Sequence, residues 1–168
     1  MKRVVALLRA VNVGGTGKLA MTDLVAMCET AGFRNVRTYI ASGNAIFDTE
    51  LPELKVQEKL GALLASFAGK RIPVMVRDAA ELRDVIADNP FAGAPGNRTI
   101  VVFLDAPPPA DSINQIKGRI NEEVALGKRE IYIRYDDGMA HSKLIVPAAK
   151  EGTARNMNTV VKLAQLTA

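Results

Sequence analysis

Three short segments of this 168-residue chain concentrate side chains able to do chemistry. The first is Arg9 followed by Asn12-Val13-Gly14-Gly15-Thr16-Gly17-Lys18. Consecutive glycines leading into a helix present backbone N–H groups beside a positive helix end, an arrangement that holds anions. It is not a Walker loop. With Gly17-Lys18 in register, the first glycine would fall on Asn12 and the hydroxyl residue on Leu19. The magnesium ligand is therefore missing, and nucleoside triphosphate hydrolysis is not expected. The plain alternative is that Gly14 and Gly15 only turn the chain.

The second segment is Ser42-Gly43-Asn44, with the residue types of a tight hairpin turn. The third is Thr153-Ala154-Arg155-Asn156-Met157-Asn158-Thr159, read as the opening of the last helix. Two Asn, one Arg and two Thr in seven residues exceed what a helix cap needs. An arginine at a helix N-terminus also sits awkwardly in the helix field unless an anion accompanies it. Against this stands an elaborate cap, with Arg155 in a surface salt bridge.

Catalytic pairs are scarce. His141 is the sole histidine and falls in a strand-like stretch, so a two-histidine metal site is excluded and no metal is expected. Cys28 is the sole cysteine, so no intrachain disulfide can form. It lies on the apolar face of a helix and reads as a buried thiol rather than a nucleophile. Asp136-Asp137 belongs to a turn. No motif names a cofactor, and whether the chain is an enzyme stays open.

These residues must be positioned by an α+β framework. Residues 3–10 form a nearly continuous apolar run, as in a strand covered on both faces. A helix is expected from about Met21 to Ala31, closed by Gly32. Strands over 36–41 and 45–48 flank the Ser42-Gly43-Asn44 turn. Val56, Leu60, Leu63, Leu64 and Phe67 mark a second helix, and 73–77 a further strand. The second half repeats the order. It has a strand over 99–105, a helix marked by Ile113, Ile116, Ile120 and Val124, and strands over 130–135 and 139–146 joined at Asp136-Asp137-Gly138. A last helix carries Met157, Val160, Val161 and Ala164.

The expected fold is two tandem ferredoxin-like (βαββα-type) halves packed together. The first half spans 1–77 and the second 98–168. A helical linker and loop over 78–97 is opened by an Asp78-x-x-Glu81 capping pair. In such a unit the first and second strands run parallel, with the third inserted between them. The loop leaving the first strand and the hairpin after the second then share one end of the sheet. That gathers Arg9, Asn12, Gly14, Gly15, Ser42 and Asn44. Because strands 4–8 and 100–104 are apolar at both parities, burial between the halves is also expected.

Composition narrows the partners. The apolar fraction is 48% and the charged fraction 24%, enough for a core and an ordinary surface. A formal charge of +4 tolerates an anionic ligand, and no block of Lys or Arg calls for nucleic acid. Aromatics make up only 5%, and the Gly-aromatic motif of RNA-binding plaits is absent. No apolar run approaches the ~18 residues of a membrane span, and the apolar start is too short for a signal peptide. A cytoplasmic location is expected.

Leu7-Leu8-Arg9-Ala10-Val11-Asn12-Val13-Gly14-Gly15, Arg37-Thr38-Tyr39-Ile40-Ala41-Ser42-Gly43-Asn44 and the segment from Thr153 to Thr159 together resemble the bacterial family called domain of unknown function 1697. The resemblance runs over nearly the whole chain and implies two ferredoxin-like halves. It brings no activity, substrate or cofactor. Its signature maps onto Arg9, Asn12, Gly14, Gly15, Ser42, Gly43, Asn44, Arg155, Asn156, Asn158 and Thr159. Ala10 stands where the family usually has Gly, and Met157 where it usually has Trp.

Function is thus narrowed to a place and a character. The leading expectation is binding of a small anionic or nucleotide-like ligand by Arg9, Asn12, Gly14, Gly15, Ser42 and Asn44, joined by Arg155, Asn156 and Asn158 if the last helix lies alongside. A transferase or hydrolase acting through polar side chains competes with it, lacking an evident base. A homodimer or protein-interaction module is the third reading, resting on an exposed strand edge.

Overall fold

A computed structural model describes residues 1–9, 11 and 18–168. Asn12, Gly14 and Gly15 lie outside the described residues. The chain divides into two compact units. Residues 1–81 and 163–168 form the first, and residues 82–162 the second.

The first unit contains β1 (Lys2–Leu8), α1 (Met21–Thr30), β2 (Arg34–Thr38), β3 (Asn44–Thr49), α2 (Glu53–Ala68) and β4 (Val74–Asp78). The sheet order is β2-β3-β1-β4, with every neighbouring pair antiparallel. β1 and β2 are therefore parallel, with β3 between them. This is the split β-α-β arrangement expected from the sequence.

The apolar character of β1 at both parities follows from its central place. Val4, Ala6 and Leu8 join Ala45, Phe47, Val74 and Val76 in one core, covered by the helices. Val5 and Leu7 face the other way and are equally buried. Helical spacing explains the cover. Leu24 and Cys28 on α1, and Val56, Leu60 and Leu64 on α2, recur every four residues and are fully buried. Phe67, read as part of that stripe, falls outside it at 49% exposure. α1 closes as expected at Gly32, whose N–H bonds the Glu29 carbonyl while Phe33 N–H reaches Cys28.

The second unit contains β5 (Thr99–Phe103), β6 (Glu123–Leu126), β7 (Glu130–Arg134) and β8 (Thr153–Asn156), ordered β6-β7-β5-β8 and again antiparallel throughout. β1 to β4 and β5 to β8 thus repeat one topology. α3 (Ala79–Ala87) follows β4, and α4 (Met157–Thr167) follows β8. Tyr132 is buried and donates its hydroxyl to the Val85 carbonyl at 2.8 Å, pinning α3 within this unit.

Here several sequence expectations fail. Residues 113–124 form no helix. Only a single 3-10 turn stands at Ser112–Gln115, and β6 begins at Glu123. Gly118 takes φ +71°, which leaves the helical path, and lies so close to the Lys143 carbonyl oxygen that an added Cβ would stand 2.0 Å from it, so only glycine fits there. Lys117 and Ile145 then exchange two backbone hydrogen bonds, and Ile120 is left 82% exposed. Residues 139–146 are not a strand beyond that isolated bridge. The hairpin is made by β6 and β7, where Gly127 N–H bonds the Glu130 carbonyl at 2.7 Å. Asp136-Asp137-Gly138 only turns the chain. Finally, residues 153–156 are a strand rather than a helix opening. On α4 the fully buried positions are Val160 and Leu163, whereas Val161 is exposed.

The two irregular stretches are latched by one carboxylate. Glu122 accepts hydrogen bonds from the N–H groups of Ile120 at 2.8 Å and Asn121 at 3.2 Å, and a short one from the Ser142 hydroxyl. The Ser142 hydroxyl and these amides hold its carboxyl from 4.5 down to about 2. A depressed carboxyl stabilises the folded state fully above about pH 4.5, and that share is lost as pH falls toward 2. Glu122→Gln should therefore flatten the fall in thermal midpoint between those values while lowering the midpoint at neutral pH. An unchanged acid limb would contradict the latch.

Candidate functional site

The described part of the expected site is built on the hairpin between β2 and β3. The connection is longer than a two-residue turn, running over residues 39–43. Tyr39 N–H bonds the Asn44 carbonyl at 3.0 Å and closes the loop. Asn44 is fully buried, and its amide donates to the Tyr39 carbonyl at 2.8 Å and to the Ser42 hydroxyl at 3.2 Å. Both amide protons thus hold the hairpin itself.

The hairpin is fastened to the exit of β1. Leu8 N–H bonds the Gly43 carbonyl at 2.9 Å, and Arg9 N–H bonds the Pro73 carbonyl at 3.1 Å. Gly43 has φ +92°, and a Cβ there would stand 2.6 Å from Val11 Cγ2 and 3.0 Å from Leu8 Cβ. Only glycine admits this approach. Arg9 and Ser42, both half-buried, are in this way brought to one end of the sheet with Asn44 beneath them.

Arg155, Asn156 and Asn158 belong to the second unit. Arg155 lies on β8 opposite Val101 and is 8% exposed. Its Nη1 donates to the Ala154 carbonyl at 2.8 Å, and burial pushes the guanidinium down to about 10, still protonated at neutral pH. Asn156 Oδ1 accepts the Thr159 N–H at 2.9 Å, the bond of an N-cap on α4. Asn158 is exposed.

One counterpart went unread in the sequence. Arg77 on β4 lies opposite Val5, is 1% exposed, and donates Nη1 to the Val76 carbonyl at 3.0 Å. Asp78 then caps α3, its Oδ1 accepting the Glu81 N–H at 2.8 Å. Arg77-Asp78-Ala79-Ala80-Glu81 and Arg155-Asn156-Met157-Asn158-Thr159 are thus one device used twice: a buried guanidinium ending a strand, then an Asx cap opening a helix. The matching spacing of Arg and Asx was the available signal.

A cavity of about 540 Å³ lies at the opposite end of the first sheet, over Val4, Val56 and Val76. Its rim carries Lys2, whose Nζ lies 2.7 Å from Asp78 Oδ2. Burial raises the Asp78 carboxyl, yet the hydrogen bonds from Lys2 and the Glu81 N–H outweigh it and hold it below the ordinary value. These polar groups satisfy one another.

Cys28 is poorly placed to act as a nucleophile. Cys28 is fully buried, and burial, reinforced by Glu29, pushes its thiol up to about 12. Among the described residues, no group of three or more His, Cys, Asp or Glu could hold a metal ion, and no helix is long and apolar enough to cross a membrane.

Residues 1–132 match the family described as protein of unknown function DUF1697. The chain belongs to this family. No curated protein matches the chain. Among solved structures, this DUF1697 member is similar to the conserved bacterial protein SP0830 from Streptococcus pneumoniae. The TM-score is 0.81 and the identity 22%, over 99% of this chain and 98% of that one. That likeness extends the two-unit fold across the whole DUF1697 chain, including residues beyond the family match.

Proposed function

We propose that the first unit binds a small anionic or nucleotide-like ligand at the hairpin end of its sheet. The observation that carries this reading is the close seating of Gly43 on Leu8 and Val11, which holds Arg9 beside Ser42. Arg9 supplies the cation and the Ser42 hydroxyl a neutral donor, and Asn12, Gly14 and Gly15, which follow in the sequence, are included in the proposed site. Asn44 acts from below by fixing the turn. Arg155 and Asn156 enter this reading less directly, since each has a structural task on β8 and α4. A cytoplasmic location is part of the same proposal, and a single cysteine is compatible with it.

Thermal unfolding with phosphate, pyrophosphate and adenine nucleotides tests it. A ligand at 100 times its Kd adds about 2.7 kcal/mol of stability. Arg9→Ala is expected to remove most of the resulting shift, measured against the midpoint of the same variant without ligand. Absence of any shift with every anion, or a shift that survives Arg9→Ala intact, would count against the site.

A further inference from the structure

Positive φ is a conformation that L side chains rarely adopt, and this chain gives it to suitable residues with one exception. Among the described residues, Gly32, Gly43, Gly69, Gly118 and Gly138 take it, as does Asn35 at φ +53°. Glycine has no Cβ to clash, and asparagine tolerates this region well. Ile40, also at φ +53°, is the exception. A β-branched residue there is a genuine outlier, and its left-handed backbone is strained.

Packing does not offset that strain, because Ile40 is 47% exposed. The turn does not require isoleucine either. Gly43 N–H bonds the Ile40 carbonyl at 3.4 Å and closes a four-residue turn. Asparagine or glycine at position 40 would adopt the same backbone with less strain. Strained residues of this kind cluster at active sites and ligand clamps. What isoleucine adds is a stiff, branched apolar side chain open to solvent. It stands on the same turn as Ser42, and Gly43 seats that turn on Leu8, the residue before Arg9.

We propose that Ile40 selects the ligand of the hairpin end by covering a flat, apolar ring joined to its anionic group, as in a nucleoside monophosphate. This rests on the anion site proposed above and narrows it from any small anion to a nucleotide-like one. Arg9 and Ser42 take the phosphate, and Ile40 loses its contact with water when the ring lies on it. Bare phosphate leaves the isoleucine as exposed as before.

Calorimetric titration of the whole chain with ribose 5-phosphate and adenosine 5′-monophosphate tests the proposal. The two share phosphate and sugar and differ in the ring. The adenosine compound should bind about tenfold tighter, because the ring and Ile40 leave water together. Ile40→Asn should bring the two affinities within about twofold and raise the ligand-free unfolding midpoint by about 2–4 °C, because asparagine relieves the backbone. Ile40→Val, which keeps a branched apolar face, should retain most of the preference. Equal affinities in the unaltered chain, with binding of both lost in Arg9→Ala, would keep the anion site and overturn the role of Ile40. A fall in the Ile40→Asn midpoint would assign the side chain to packing and also overturn it. No binding of either molecule would overturn both readings.

Discussion

Phe47→Ala is expected to lower the unfolding free energy by about 3–5 kcal/mol. Phe47 is fully buried on β3, opposite Val4 of β1. Its ring stacks on Phe33 with centroids 4.1 Å apart and planes 3° from parallel. Phe33 directly follows the cap of α1, so the pair ties the end of that helix to the sheet. Truncation removes one of the two phenylalanines of this core and takes from Phe33 its stacking partner. The pair itself should contribute about 0.5–1.5 kcal/mol beyond the area it buries. Urea unfolding of Phe33→Ala, Phe47→Ala and the double variant measures both quantities. Strictly additive losses would show that the two rings merely share a core.

Gly43→Ala should cost about 2–5 kcal/mol. A left-handed alanine accounts for about 1–2 kcal/mol of this. Displacing Val11 and Leu8 accounts for about 1–3 kcal/mol more, because the new Cβ would stand 2.6 and 3.0 Å from them. Gly32→Ala supplies the comparison. Its φ is +90°, but no atom lies within 4 Å of the added Cβ, so only the backbone share applies. The difference between the two midpoints isolates the packing of hairpin on strand exit. Equal costs would mean that this seating is soft and that Arg9 and Ser42 are not held together by it.

The first unit was largely legible in the sequence, because each element there carries its own period. β1 is apolar without interruption from Val4 to Leu8, and α2 repeats Val56, Leu60 and Leu64 at helical spacing. The second unit was less so. Ile113, Ile116 and Ile120 have helical spacing by coincidence, and what overrides it is the long-range pairing of Lys117 with Ile145, beside which Gly118 packs closely on the Lys143 backbone. No window around residue 118 contains that partner. β8 was missed because Thr153-Ala154-Arg155-Asn156 has little strand character of its own and is held by pairing with β5.

The candidate site was legible in part. The parallel course of β1 and β2 correctly brings Arg9, Ser42 and Asn44 to one end, since that follows from topology alone. The task of each side chain did not follow. Asn44 has the residue type of a ligand group, yet both of its amide protons serve the hairpin.

The membership of α4 has a consequence for how the chain is made. Its last five residues, with Ala168 after them, belong to the first unit, where the Leu166 carbonyl accepts Arg37 Nη2 at 2.8 Å and the Ala168 carbonyl accepts Arg3 Nη1 at 3.4 Å. A ribosome delivers those residues only after the entire second unit. Closure of the N-terminal body is therefore expected to finish only once those residues are made. Nascent chains stalled before residue 163 should remain more open to protease than chains stalled beyond residue 168.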